Sequence, residues 1–157
     1  MKKLILSLAF IALAIFTANA QRISENAIGI RFSENSGTGA EVTYQRGLTG
    51  NNRLEIDLGI RNNTSFNSFK ATGLYEWVWR LDGNFNWYAG AGGGIGSWRD
   101  NDTDSSDVFI FGAGIIGIEY NFDFPLQVSL DLRPEIGFSD LYDGINADFG
   151  VSVRYQF

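Results

Sequence analysis

The thirteen residues from Phe69 to Leu81, FKATGLYEWVWRL, hold a two-residue period without a break. Phe69, Ala71, Gly73, Tyr75, Trp77, Trp79 and Leu81 fall on one face, and Lys70, Thr72, Leu74, Glu76, Val78 and Arg80 on the other. Successive side chains of a β-strand point to opposite sides, so this stretch is a strand with two unlike surroundings. Its aromatic face is the part that needs a home. Tyr75, Trp77 and Trp79 gather toward one end, next to Asp82-Gly83-Asn84, a hairpin signal.

The same alternation continues in both directions. Before it come NAIGIRF (26–32), AEVTYQ (40–45) and RLEIDLGIR (53–61). After it come FNWYAGAGGGIGSW (85–98), VFIFGAGIIGIEYNF (108–122), LQVSLDLRPEIGF (126–138) and INADFGVSVRYQF (145–157). Turn-rich stretches such as ENSGTG and the acidic RDNDTDSSD separate them, and no segment keeps a helical period. Nothing reads as a linker or a second domain. Eight alternating segments joined by hairpins predict an antiparallel up-and-down barrel.

Two kinds of barrel fit alternation: a soluble one with its apolar face inward around a ligand, and a membrane one with that face outward. Volume decides between them. An eight-stranded interior is just wide enough for side chains to fill. It has no room for Tyr44, Tyr75, Trp77, Trp79, Trp87, Tyr120, Phe122, Tyr155 and Phe157 beside rows of Ile, Leu and Val. The aromatic face must therefore look outward, into lipid. Tyr44, Trp77, Trp79, Trp87, Tyr120 and Tyr155 all fall near the ends of segments joined by short turns, the arrangement of an interfacial aromatic girdle. Strands of about 10 residues tilted by ~40° reach the roughly 25 Å apolar band of such barrels.

The amino-terminal residues agree with export. MKKLILSLAFIALAIFTANA has a basic start at Lys2 and Lys3, an apolar run from Leu4 to Phe16, and small residues at Ala18 and Ala20. This is the layout of a signal peptide cleaved after Ala20, and the run is short for a membrane-spanning helix. No Cys follows Ala20, so a lipoprotein anchor is not expected. Loss of Lys2 and Lys3 takes the formal charge from −6 to −8, which argues against nucleic acid or an anionic surface as a general partner. With no cysteine, stability in an oxidising compartment has to come from a closed hydrogen-bonded structure.

The last strand, GVSVRYQF (150–157), alternates up to an aromatic final residue. A barrel in lipid tolerates no open edge, so this segment must pair with the first. Its terminal Phe157, with Tyr155 two residues before it, resembles the C-terminal signal of bacterial outer-membrane barrels. WYAGAGGGIG (87–96) and PLQVSLDLRPEIGF (125–138) look like strands of the small OmpA- and OmpX-like outer-membrane barrels. That resemblance covers the mature chain. It implies a signal peptide over 1–20, a single barrel domain over 21–157, and an outer-membrane location with both mature termini periplasmic. It further implies lipid as the surroundings, a monomer, and handling by the barrel assembly machinery through Tyr155 and Phe157. Connections 47–52, 82–84 and 121–125 would be periplasmic, and 34–38, 62–68, 99–107 and 139–144 would face outside.

Chemistry is constrained by what is missing. Enzymatic barrels of that membrane depend on a histidine general base, and this chain contains no histidine, so no enzyme is expected. Ligation of a metal by His or Cys is excluded on the same count, and no cofactor is expected. GAGGGIG (90–96) imitates a nucleotide loop but lies within a strand, where its glycines make room for bulky inward neighbours such as Leu74, Phe109, Phe111 and Ile115. Asp100, Asp102, Asp104 and Asp107 lack the glycine and terminal glutamate of a calcium loop.

One constellation remains. Alternation turns Arg31, Glu41, Glu55, Asp57, Arg61, Glu76, Asp131, Arg133, Glu135 and Asp148 inward as a lumen charge network, together with Lys70, Arg80, Glu119 and Arg154. Counting back from the first hairpin sets Arg31 opposite Glu41. Glu55 comes near Glu76, and Glu135 near Asp148; such pairs need a shared cation, which Arg61, Arg133 or Arg31 could supply. Arg133, flanked on its own face by Asp131 and Glu135, is the expected hub. The expected work is structural, or binding through the loops to an envelope partner. The alternatives are a narrow gated channel, and a subunit of a larger assembly with Gly73, Gly93, Gly112 and Gly114 as a flat outward contact face.

Overall fold

The structure is a computed structural model that describes residues 23–33, 39–62, 66–100, 106–139 and 142–157. Eight strands follow one another: β1 (Asn26–Ser33), β2 (Gly39–Gly47), β3 (Asn52–Asn62), β4 (Phe66–Asp82), β5 (Phe85–Asp100), β6 (Ser106–Asn121), β7 (Leu126–Ser139) and β8 (Tyr142–Gln156). Each is antiparallel to its chain neighbour, and β1 pairs with β8 to close the barrel. Closure runs through Ile28↔Tyr155, Ile30↔Val153 and Phe32↔Val151. No edge is left between the first and last strands.

The strands are unequal. β1 has 8 residues, whereas β4 has 17 and β5 and β6 have 16 each. The apolar alternation of β4 begins at Phe69, yet its ladder runs on through Ser68↔Trp98, Asn67↔Arg99 and Phe66↔Asp100. Backbone pairing, once established, carries polar residues that alternation alone reads as loop. At ~3.3 Å per residue and a tilt of ~40°, sixteen residues rise about 40 Å, well past the apolar band. β7 has 14 residues and β8 has 15, so β4 to β8 project beyond β1–β3 at the end away from the short turns.

Those short turns close the other end. Gly50 and Gly83 sit in them with φ of 75° and 52°, where a side chain would be strained. Just before Gly83 the register between β4 and β5 shifts, between Arg80 and Asp82. The expectation for Arg80 is corrected here: its place in the ladder, opposite Asn86, is regular, but it lies at the last step before the hairpin. Its side chain is exposed, with Nε donating to the Gly83 carbonyl at 3.1 Å, and it takes no part in the lumen.

Inside, the wall is divided. β4, β5 and β6 contribute an apolar cluster of Leu74, Val78, Tyr88, Phe111, Ala113 and Ile115. Buried charge lines the rest of the wall, with Glu76 of β4 and Glu119 of β6 joining that of the other strands. Outside, Ile28, Ile30, Phe32, Val42, Leu54, Ile56, Leu58 and their counterparts around the barrel stand exposed. An apolar exterior of this extent, wrapped round a charged interior, is the inverse of a water-soluble protein and is matched to hydrocarbon.

Candidate functional site in the lumen

Arginines organise the interior, because one guanidinium offers five donors and reaches several carboxylates at once. Arg31 of β1 donates through Nη2 to Asp131 at 2.6 Å and through Nη1 to Asp148 at 2.8 Å and Glu41 at 3.3 Å. Four strands, β1, β2, β7 and β8, meet at that side chain. Arg133 of β7 reaches across the lumen to Glu41 at 3.2 Å, Glu55 at 3.5 Å and Asp57. It bypasses Asp131 and Glu135 on its own strand face. Same-face neighbours lie roughly 7 Å apart along a strand, whereas a narrow lumen brings the opposite wall within an arginine's length.

Further toward the turns, Arg154 donates to Glu55 at 2.9 Å, Ser129 at 2.8 Å and Thr43 at 3.1 Å. Gln45 adds a 2.5 Å bond to Glu55. Arg53 holds Glu76 at 2.5 Å and Glu119 at 2.6 Å, with its guanidinium 4.7 Å from the centre of the Tyr88 ring. At the opposite end Lys70 binds Glu135 at 2.6 Å and lies 4.8 Å from the Phe111 ring centre. Arg31, Arg133 and Arg154 share Glu41 and Glu55 and form one connected brace, with the Arg53 pairs toward the turn end and the Lys70–Glu135 pair toward the loop end.

The placement differs from simple counting in its partners. Glu55 is served by Arg133 and Arg154, while Glu76 is served by Arg53. Glu135 is held by Lys70 and Asp148 by Arg31. Arg61 lies in β3 opposite Ser68, but its side chain lies outside the described residues. Arg53 and Tyr88 are the residues that sequence reasoning missed. Arg53 opens the segment RLEIDLGIR (53–61) and shares the parity of Glu55 and Asp57, a signal that could have found it. Tyr88 faces Gly117 across the ladder, a large-to-small pairing that could have marked it as inward.

The brace leaves some buried polar atoms without a protein partner. Asp57 Oδ1, Thr72 Oγ1, Arg133 Nε, Arg53 Nη2 and Glu76 Oε1 are among them. Asp57 and Thr72 are direct cross-strand neighbours. Buried atoms of this kind call for internal water. Among the described residues no group of three or more His, Cys, Asp or Glu is placed to hold a metal ion.

Outward aromatics gather at the turn end, with Phe32, Phe69 and Phe138 exposed toward the other. Trp79 stacks on Trp87 with ring centres 4.3 Å apart, Tyr75 meets Trp77 edge-on at 5.0 Å, and Tyr120 meets Phe85 at 4.7 Å and Phe122 at 4.8 Å. Tyr44 donates its hydroxyl to Asn26 at 2.7 Å. Tyr155 and Phe157 pair at 6.2 Å beside the closing seam.

No family model matches the chain, and no curated protein matches it. Solved structures do. The N-terminal β-barrel domain of Pseudomonas aeruginosa OprF matches at 14% identity over 85% of this chain and 98% of that one, with a TM-score of 0.69. Neisserial surface protein A matches at 11% identity over 84% and 94%, with a TM-score of 0.61. Ail, the attachment invasion locus protein of Yersinia pestis, matches at 15% identity over 85% and 97%, with a TM-score of 0.59. The fold is that of the small eight-stranded outer-membrane barrels.

Proposed function

We propose that this chain is a non-enzymatic outer-membrane barrel with a closed, ion-paired lumen, which braces the membrane and presents its loops to an envelope or external partner. One observation carries the reading. Arg31, Arg53, Arg133 and Arg154 are all buried to within 1% exposure, and each is fixed by acceptors from other strands. Such a brace fills the interior and joins distant strands. The apolar exterior supports residence in the outer membrane, with residues 1–20 as export signal and both mature termini periplasmic. Tyr44, Trp77, Trp79, Trp87, Tyr120 and Tyr155 would anchor it at the interface, with Tyr155 and Phe157 read by the assembly machinery. One similar structure is named for attachment and invasion, which supports loop-mediated contact as work this fold can carry.

A specific observation favours a second reading, the narrow gate. Among the described residues the lumen sets eight carboxylates, Glu41, Glu55, Asp57, Glu76, Glu119, Asp131, Glu135 and Asp148, against four arginines and Lys70. Surplus acid with unpartnered oxygens invites water and small cations. Arg133→Ala separates the two readings. Removing a buried cation from its carboxylates costs about 3–5 kcal/mol, so unfolding should occur at lower temperature than for Arg99→Ala, which alters an exposed charge. The native barrel in planar bilayers should carry no current. Steady cation current through the native protein would replace the closed core with the gate, and unchanged stability of Arg133→Ala would remove the brace.

A further inference from the structure

We propose that the segment Ile23–Glu25, which precedes β1, is a built-in stopper for the turn-side mouth of the lumen. The inference rests on the closed-lumen reading and adds what closes that end. The segment is pinned on both flanks. Toward β8, Asn26 N donates to the Phe157 carbonyl at 3.1 Å and Phe157 N to the Asn26 carbonyl at 2.9 Å. Toward β2, Gly47 N donates to the Glu25 carbonyl at 2.9 Å, Arg46 pairs with Glu25 at 3.1 Å, and Tyr44 and Arg46 both donate to Asn26 Oδ1.

Held there, the chain turns inward and does not run out into lipid or water. Ile23 is the one apolar residue in the run QRISEN (21–26). It packs, half-buried, against the apolar cluster of the inner wall that includes Leu74, Val78 and Tyr88. Val78 and Tyr88, paired across β4 and β5, are the cluster members nearest the β4–β5 turn, and the segment is pinned at that same end of the barrel, which places the contact at the mouth.

Gly47 supplies an independent sign that the seat is shaped for this segment. A Cβ at Gly47 would stand 2.7 Å from the Ser24 carbonyl oxygen, closer than real Cβ atoms come. Its backbone does not need glycine, because its φ is not among the positive ones. Glycine at 47 is therefore explained by clearance for the strap. Just inside the mouth lie the fully buried Arg53–Glu76 and Arg53–Glu119 pairs, the ones that entering water would weaken most. An apolar side chain across that entrance keeps their surroundings dry.

The experiment uses the mature barrel, folded in micelles and checked by heat-modifiable migration, with single cysteines and a small water-soluble thiol reagent. Val78→Cys should react slowly with Ile23 in place and roughly tenfold faster once Ile23→Ser is added. Gly47→Val, which evicts the Ser24 carbonyl, should raise the rate in the same direction with Ile23 intact. Equal rates with and without Ile23→Ser in folded protein overturn the stopper. Ser129→Cys, deeper in the lumen, tells the failures apart. If Val78→Cys reacts quickly in the otherwise native barrel while Ser129→Cys stays protected, only the stopper falls. If both react quickly, the closed lumen falls with it.

Discussion

Gly94, Gly96, Gly117 and Gly150 each leave a space that a large inward side chain of the next strand fills: Phe111, Phe109, Tyr88 and Arg31 in turn. At the scale of single residues the barrel is assembled from such large-to-none pairings, because a narrow interior cannot seat two bulky groups side by side. Gly73 is the contrast, outward-facing with nothing within 4 Å of where a Cβ would stand. Gly96→Val should destabilise the folded barrel by about 1–3 kcal/mol through overpacking against Phe109, whereas Gly73→Val should be neutral or mildly stabilising on the strand's lipid face. Denaturant unfolding in micelles measures both, and equal effects would mean that lumen volume is not limiting. Much at this scale was legible in the sequence, since the parity that places Gly94 and Phe111 inward also places Arg31 and Glu41. Arg80 broke the rule because parity sets the face and not the height: it stands beside the hairpin and bonds to the Gly83 carbonyl. Partner choice among the charges was hidden for a related reason: arginine arms select across the lumen, where sequence distance carries no information.

For the strands themselves, existence and order could be read directly, while their lengths could not. β4 to β6 outrun their apolar patterns because hydrogen bonding continues where the hydrophobic signal stops. Pro134 of β7 shows the same limit. It still faces Ala147 of β8, but the ladder to β6 is interrupted between Ala113↔Glu135 and Ile116↔Leu132. Proline lacks an N–H, and only the paired structure reveals which neighbour loses the bond. β8 bears the heaviest duty, since it completes the ring and ends in the paired Phe157. Deleting Phe157, or Phe157→Asp, removes an aromatic anchor beside that seam and should lower the yield of folded, heat-modifiable barrel in cells. Wild-type accumulation of the folded variant would make Phe157 merely a tolerated end.

Taken as a whole, the molecule is polarised: short turns, stacked aromatics and the Ile23 seat at one end, projecting β4–β8 at the other. The even strand number brings Asn26 and Gln156 to the same end. With that end in the periplasm, a cysteine at Ser105, in the stretch between β5 and β6, should react with an impermeant reagent on whole cells. A cysteine at Gly83 should not, and the reverse pattern would invert the topology. The brace inside also sets a schedule. Arg31 of β1 meets Glu41 on the next strand, but its two shortest contacts, to Asp131 and Asp148, reach 100 and 117 residues along the chain. Until β7 and β8 are made, the first hairpin holds one of the three carboxylates around this guanidinium and an unpaired ladder edge, and such a half-built wall does not enter hydrocarbon. Contacts of such long range form late. The charge set of the first strand is thus completed only when the last two strands arrive, so that closing the ring and neutralising the lumen are one event.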